Sequence, residues 1–159
     1  MKHIKNYLHI LKEGIHSLDL PRLLQIEDII FNKIKQNKKI FVCGNGGSAS
    51  VANHFLCDFN KGIKLSSNNK LKPKVVSLSD NMETILAVAN DISFNKIFSF
   101  QLDNHFSKGD IVILLSCSGS SPNIIDALNY CKKNKIFTIT LTGFAKKNIQ
   151  KKADINLDL

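Results

Sequence analysis

Arginine is almost absent from this chain: Arg22 is the single one, and the rest of the 22 basic residues are lysines. Against 13 acidic residues this leaves a formal charge of +9, a balance that alone would suggest nucleic acid. The missing arginines argue against that partner, because guanidinium is the group that forks onto phosphates and reads guanine edges. The lysines are spread out, with mild clusters at Lys132-Lys133-Asn134-Lys135 and Lys146-Lys147 to Lys151-Lys152. They read as solvated faces carrying, at most, a general attraction for anionic metabolites. No apolar run approaches the roughly 20 residues of a membrane span, and Met1-Lys2-His3-Ile4-Lys5 opens an amphipathic pattern rather than a signal-peptide core. The expectation is a cytoplasmic protein with no membrane partner. No C-x-x-C pair occurs among Cys43, Cys57, Cys117 and Cys131, which lie in or beside apolar segments as reduced thiols do. Neither the dinucleotide nor the P-loop glycine fingerprint is present, and there is no internal repeat.

What is present is organised around Lys39-Ile40-Phe41-Val42-Cys43-Gly44-Asn45-Gly46-Gly47-Ser48. Ile40 to Cys43 is a short run of β-formers closed by glycines, which predicts a buried strand. Ser48 stands where an N-cap would, and no breaker follows from Ala49 to Phe59. A strand, a glycine turn and a helix start together make an anion cradle, with free N–H groups and the positive dipole end aimed at one point. An ordinary βα turn without a ligand is the competing reading.

Two helices precede the cradle. Ile4, Leu8, Leu11 and Ile15 recur at helical spacing over residues 2–17, and Asp19 can cap a second helix with a broad apolar face from Leu23 to Ile34. So much apolar surface predicts packing against another subunit as well as the chain's own core. After the cradle helix, Lys61 to Pro73 reads as an exposed loop. Strands are expected near 74–79, 111–116, 136–141 and 154–158. Helices are expected over 81–90, 94–106 and 122–134, with a short one between Gly143 and Lys152. Alternating strands and helices with apolar middle strands predict an α/β fold: five parallel strands in a three-layer αβα sandwich, covered on both faces. The 159 residues make one domain, with 1–37 the helical pair and 38–159 the sandwich.

Ligands of such sheets bind at the carboxyl ends of the strands. There the strand ending at Leu115 runs into Ser116-Cys117-Ser118-Gly119-Ser120-Ser121, with Pro122 opening a helix. Hydroxyls and helix-terminal N–H groups surround a phosphate without metal or arginine. A plain serine-rich turn is the alternative, and two such loops on one edge favour the anion site. His54 and Asp58, at i and i+4, share a helix face and could be metal ligands, an acid–base couple or a surface ion pair. Asn90-Asp91 falls in an expected break between helices, as a cap or as a site group.

Together, Gly44-Asn45-Gly46-Gly47-Ser48, His54-x-x-x-Asp58, Asn90-Asp91 and Ser116-x-Ser118-Gly119-x-Ser121 resemble the sugar isomerase (SIS) domain, and within it the phosphoheptose isomerases. The resemblance implies a flavodoxin-like sandwich, a homotetramer with active sites at subunit interfaces, and isomerisation of sedoheptulose 7-phosphate to a heptose 7-phosphate. It implies that Ser116, Ser118 and Ser121 hold the phosphate, with Cys117 between them in place of a hydroxyl residue. Asn45, Gly46, Gly47, Ser48, Asn90 and Asp91 would line the sugar site. His54 would bind zinc, and Asp58, one methylene shorter than the family's glutamate, would be both ligand and base. The family continues past the last strand into a helix with a glutamine and a histidine, whereas this sequence stops at Leu159. The expectation is therefore that the 159 residues bind sugar phosphates weakly and isomerise them barely or not at all. The alternative class is a non-catalytic phosphosugar-binding or protein-binding module, as in a superfamily relative that binds a replication initiator.

Overall fold

The computed structural model describes residues 1–143, 149 and 152–158 of the chain. Helices α1 (Lys2–His16) and α2 (Leu20–Lys35) lead into strand β1 (Lys39–Gly44) and helix α3 (Gly47–Cys57). Helix α4 (Lys64–Ser66), β2 (Lys74–Ser77), α5 (Met82–Asp91), α6 (Ile97–His105), β3 (Ile111–Leu115), α7 (Pro122–Lys133), β4 (Phe137–Thr142) and β5 (Ile155–Asp158) follow. The short helix expected between Gly143 and Lys152 lies outside the described residues.

The five strands form one sheet in the order β2-β1-β3-β4-β5, and every pairing is parallel. The pleat sorts each strand's residues between two cores. Phe41, Cys43, Val112 and Leu114 pack beneath α5, α6 and α7, whereas Ile40, Val42, Ile111, Ile113 and Ile139 pack with α2 and α3 residues. Burial on both faces is why these strands are apolar throughout rather than alternating. Asp19 caps α2 as expected, its carboxylate accepting from Arg22 N at 3.0 Å. Helix α1 buries no residue at all, and Ile4, Tyr7, Leu8, Leu11 and Ile15 stay exposed on it.

Three local expectations are corrected. The stretch from Lys61 is not a loop at its start. A π-turn over Asp58–Ile63 carries the α3 backbone on into α4. Phe55 stacks on Phe59 across the junction at 4.0 Å, and the Asn60 amide pairs with both backbone groups of Val75, accepting from N at 2.9 Å and donating to O at 2.8 Å. Those two bonds cover the open edge of β2, a tertiary gain that periodicity does not display. Second, Asn90 and Asp91 end α5 rather than interrupt it; the break falls at Ile92-Ser93. Third, Gly46, with φ of 53°, occupies the N-cap of α3, and Ser48 is already inside the helix.

Candidate active site

Helix α3 begins only three residues after β1 ends, and Gly44 makes that possible. A Cβ on Gly44 would stand 2.6 Å from Ser48 Cβ and 2.7 Å from the Ser48 carbonyl carbon and oxygen. The Asn45 carbonyl accepts from Ser48 N at 2.9 Å, closing the first turn, while the Gly46 cap contributes no side-chain bond. The N-terminal N–H groups of α3 therefore face whatever lies in front of the strand end.

The second loop is sewn to its neighbours by backbone bonds. Ser116 N donates to the Leu141 carbonyl at 3.0 Å, and Gly143 N donates to the Cys117 carbonyl at 3.1 Å. The buried Ser116 hydroxyl accepts from Gly119 N at 3.1 Å, and Gly119 takes the turn at φ of 60°. Ser120 Oγ donates to Ser118 Oγ at 2.9 Å. Ser121 caps α7 by backbone alone, leaving its hydroxyl free of a capping bond, and Pro122 holds the first helical position.

In the 2-1-3-4-5 order, the direction in which successive strands are added across the sheet reverses between β1 and β3, and the crevice at such a switch point is where doubly wound sheets bind ligands. β1 and β3 are direct neighbours, pairing Gly44 with Leu115, so the two loops meet. Asn45, Gly47 and Ser48 on one side and Ser116, Cys117, Ser118 and Ser121 on the other enclose a cleft of about 400 Å³, with Val51 and Leu115 adding apolar wall. The N-termini of α3 and α7 both open at this edge, and each helix is long enough to carry a dipole. Hydroxyls and helix-terminal N–H groups, with no carboxylate in the lining, are the groups that suit an anion. A separate groove of about 420 Å³, lined by residues such as Leu23, Ile30, Phe31, Phe55 and Phe59, is apolar and offers an anion nothing.

Five of the expected site residues, His54, Asp58, Asn90, Asp91 and Gly46, do not line the cleft. His54 and Asp58 share a face, with Nε2 and Oδ2 3.7 Å apart, and both side chains are mostly exposed. Asp58 lies 11 residues along from Gly47, about 16 Å at 1.5 Å per residue, and does not line the cleft of its own chain. Asn90 donates to Asp91 Oδ1 at 2.8 Å on the exposed end of α5. Gly46 is exposed at the cleft's rim as the turn that starts α3. Among the described residues no three His, Cys, Asp or Glu side chains gather as a metal site. His54 and Asp58 are suitable donors in kind but fall short of the three protein ligands a catalytic zinc takes. The residues present do not by themselves fit the metal.

Residues that motif reading passed over hold the site together. Asn123, the second residue of α7, is 1% exposed and exchanges two 2.8 Å hydrogen bonds with Asn45. Asn53 accepts from Ser77 Oγ at 2.6 Å, pinning α3 to β2. The available signal for Asn123 was its polarity in a segment whose neighbours Ile124, Ala127 and Leu128 are apolar.

Comparison with known proteins gives the family and the fold. Residues 3–143 match the model of the SIS domain. A probable phosphoheptose isomerase of Thermoplasma acidophilum is 32% identical over 155 residues, spanning 98% of this chain and 84% of the relative. The phosphoheptose isomerase of Bordetella avium is 28% identical over 89% of this chain and 70% of its own length. Among solved structures, the phosphoheptose isomerase from Neisseria gonorrhoeae superposes with a TM-score of 0.84 at 28% identity, covering 99% of this chain and 82% of that one. No helix among the described residues is long and apolar enough to cross a membrane. The chain belongs to the SIS-domain family and, within it, to the phosphoheptose isomerases.

Proposed function

We propose that this protein is an aldose–ketose isomerase that interconverts sedoheptulose 7-phosphate and D-glycero-D-manno-heptose 7-phosphate. The observation that carries the reading is the convergence of two helix N-termini and the serine loop on one cleft at the β1/β3 switch point. Ser116, Ser118 and Ser121, with the Asn123 backbone N–H at the start of α7, hold the phosphate. Asn45, Gly46, Gly47 and Ser48 line the path of the sugar chain, and Asn90 and Asp91, outside the cleft of their own chain like Asp58, join them from a neighbouring copy. Anchoring the phosphate fixes the distance to the reacting carbons, converting an encounter into an intramolecular proton transfer.

Asp58 is the base in this reading. Its carboxylate takes the proton from C1 of the ketose to give an enediolate across C1 and C2, a proton passes from O1 to O2, and the carbon-bound proton returns to C2 to give the aldose. Because Asp58 lies outside the cleft of its own chain, a neighbouring copy has to bring it there. The exposed apolar residues of α1 fit such an assembly, taken here as a homotetramer with sites between subunits. Zinc bound by His54 and Asp58 would need further donors, so no step is routed through it. The four free thiols suit the reducing cytoplasm, to which this reading assigns the protein.

The test is proton exchange, which reports even slow turnover. Incubation with sedoheptulose 7-phosphate in deuterated water should place deuterium at C1, and Asp58→Asn should lower that rate at least a hundredfold. Absence of both exchange and aldose formation overturns the isomerase reading.

A further inference from the structure

We propose that Asn123 is the positioning residue for the sugar half of this cleft: its buried amide locks the Asn45 amide so that Asn45 meets a ligand hydroxyl with one donor and one acceptor already aimed. The inference rests on the isomerase reading for its ligand class, a polyhydroxy sugar phosphate. It goes beyond that reading in assigning a role to a residue outside the recognised motifs.

Asn123 needs an explanation. It sits at the second position of α7, 1% exposed, beside the buried apolar residues Ile124, Ala127 and Leu128. Burying an amide there costs free energy unless its hydrogen bonds are met. Helix formation does not call for it, because Ser121 is the N-cap and α7 takes no side-chain capping bond. An apolar side chain of similar volume would fill the space without that cost. What the amide does is bind Asn45. Asn45 Nδ2 donates to Asn123 Oδ1 at 2.8 Å, and Asn123 Nδ2 donates to Asn45 Oδ1 at 2.8 Å. Among the described residues this is the one side-chain link between the cradle after β1 and the segment that follows the serine loop.

A reciprocal pair of this kind has a mechanical consequence. Turning one amide over sets oxygen against oxygen and nitrogen against nitrogen, so the two amides turn only together. The Asn45 backbone is held as well, its carbonyl accepting from Ser48 N in the first turn of α3. Asn45 is thus fixed from both sides, by α3 through its backbone and by α7 through its side chain. An amide carries two donors and two acceptor lone pairs, so one N–H and one lone pair of Asn45 remain for a ligand. Asn45 is half-buried and lines the cleft across from Ser116, Ser118 and Ser121. A matched donor and acceptor suits a hydroxyl, which both gives and takes a hydrogen bond. The serine loop and α7 N-terminus suit an anion. The cleft thereby divides into a phosphate half, which Asn123 meets only through its backbone N–H in the first turn of α7, and a hydroxyl half that its side chain sets.

Asn123→Leu tests this, since it keeps the branched heavy-atom outline, removes the amide and leaves Asn45 free to turn toward water. Affinities for inorganic phosphate and for sedoheptulose 7-phosphate are measured by calorimetry, with C1 deuterium exchange alongside. The expected result is a phosphate affinity within twofold of the unaltered protein, a sugar phosphate affinity at least tenfold weaker, and exchange at least tenfold slower. Asn45→Ala should show the same selective loss, and the double variant should lose nothing further, because Asn123 acts through Asn45. Equal weakening for both ligands, no weakening for either, or additive losses in the double variant overturn the role. If Asn123→Leu does not fold, Asn123→Ser, which keeps one hydrogen-bonding group, is measured in its place and should lose sugar phosphate affinity selectively; a loss shared with phosphate overturns the role. An unaltered protein that binds sugar phosphate without exchange overturns the isomerase reading alone, while the two affinities still decide Asn123.

Discussion

The Ser79 hydroxyl brackets Gly44: it donates to the Gly44 carbonyl at 2.9 Å and accepts from the Gly44 amide at 3.1 Å. One side chain beyond β2 thus satisfies both backbone groups at the end of β1, on the side where the pairing with β2 has already ended. The cradle is held rigid by this clamp from one side and by the Ser48 contact from the other.

Gly44→Ala should therefore damage fold and site together. The added methyl meets backbone atoms of Ser48 at 2.7 Å, which no rotamer change relieves. Overpacking of this kind costs about 1–3 kcal/mol. Thermal unfolding should shift down by roughly 2–4 °C per kcal/mol for a chain of this size, with weaker phosphate binding in calorimetry.

Ser121→Ala should do the reverse, weakening the ligand and sparing the fold. The hydroxyl makes no capping bond in the free protein, so the unfolding midpoint should hold within a degree or so. A hydrogen bond to a charged group contributes about 1.5–3 kcal/mol. Phosphate affinity should fall about tenfold or more. Unchanged affinity would place the anion elsewhere than the serine loop.

Thiol labelling should divide the cysteines two and two. Cys57 and Cys117 are exposed, Cys43 and Cys131 buried. Burial pushes the Cys131 thiol up to about 12 and raises Cys43 well above its usual value, the neighbouring Cys131 adding to the effect. Both should stay unreactive until the protein unfolds. Cys117 lines the cleft, so inorganic phosphate should slow its alkylation and leave that of Cys57 unchanged. Mass spectrometry of the labelled peptides reads both results.

Asp154 should make the fold sensitive to acid. Burial alone would raise its carboxyl, but hydrogen bonds from Lys132 and from the Thr138 hydroxyl and amide outweigh that and hold it below the usual value. A carboxyl with a lowered pKa in the folded state contributes stability above its unfolded value of 3.8 and loses it as pH falls through the folded value. The unfolding midpoint of the unaltered protein should drop below pH 4. Asp154→Asn should have a lower midpoint at pH 7 and a flatter acid limb.

Much of the fold could be read from local pattern, and the physical reason is visible in β1. Ile40 to Cys43 is buried on both faces, so the strand is written as an unbroken apolar run, and the closing glycines mark where it must turn. The serine loop was legible as a strand-to-helix turn, because serine, glycine and a first-turn proline all favour one there. The π-turn at Asp58 was not legible. What favours it is the reach of Asn60 to Val75, a contact across 15 residues that leaves no periodic trace. Asn90 and Asp91 misled for a related reason: residues suited to capping were read as a helix break, yet α5 runs through both.

The sequence by itself determined the element types and the two loop chemistries, since burial and backbone freedom impose composition residue by residue. It also determined the family, through four separated motifs in order. Only the tertiary structure decided that β1 lies beside β3, because strand order depends on crossovers that local pattern does not encode. That adjacency turns two separate loops into one cleft, pairs Asn45 with Asn123 across 78 residues, and leaves His54 and Asp58 outside the cleft of their own chain. Side-chain pairing of this kind is a property of distance in space, and no spacing along the chain announces it.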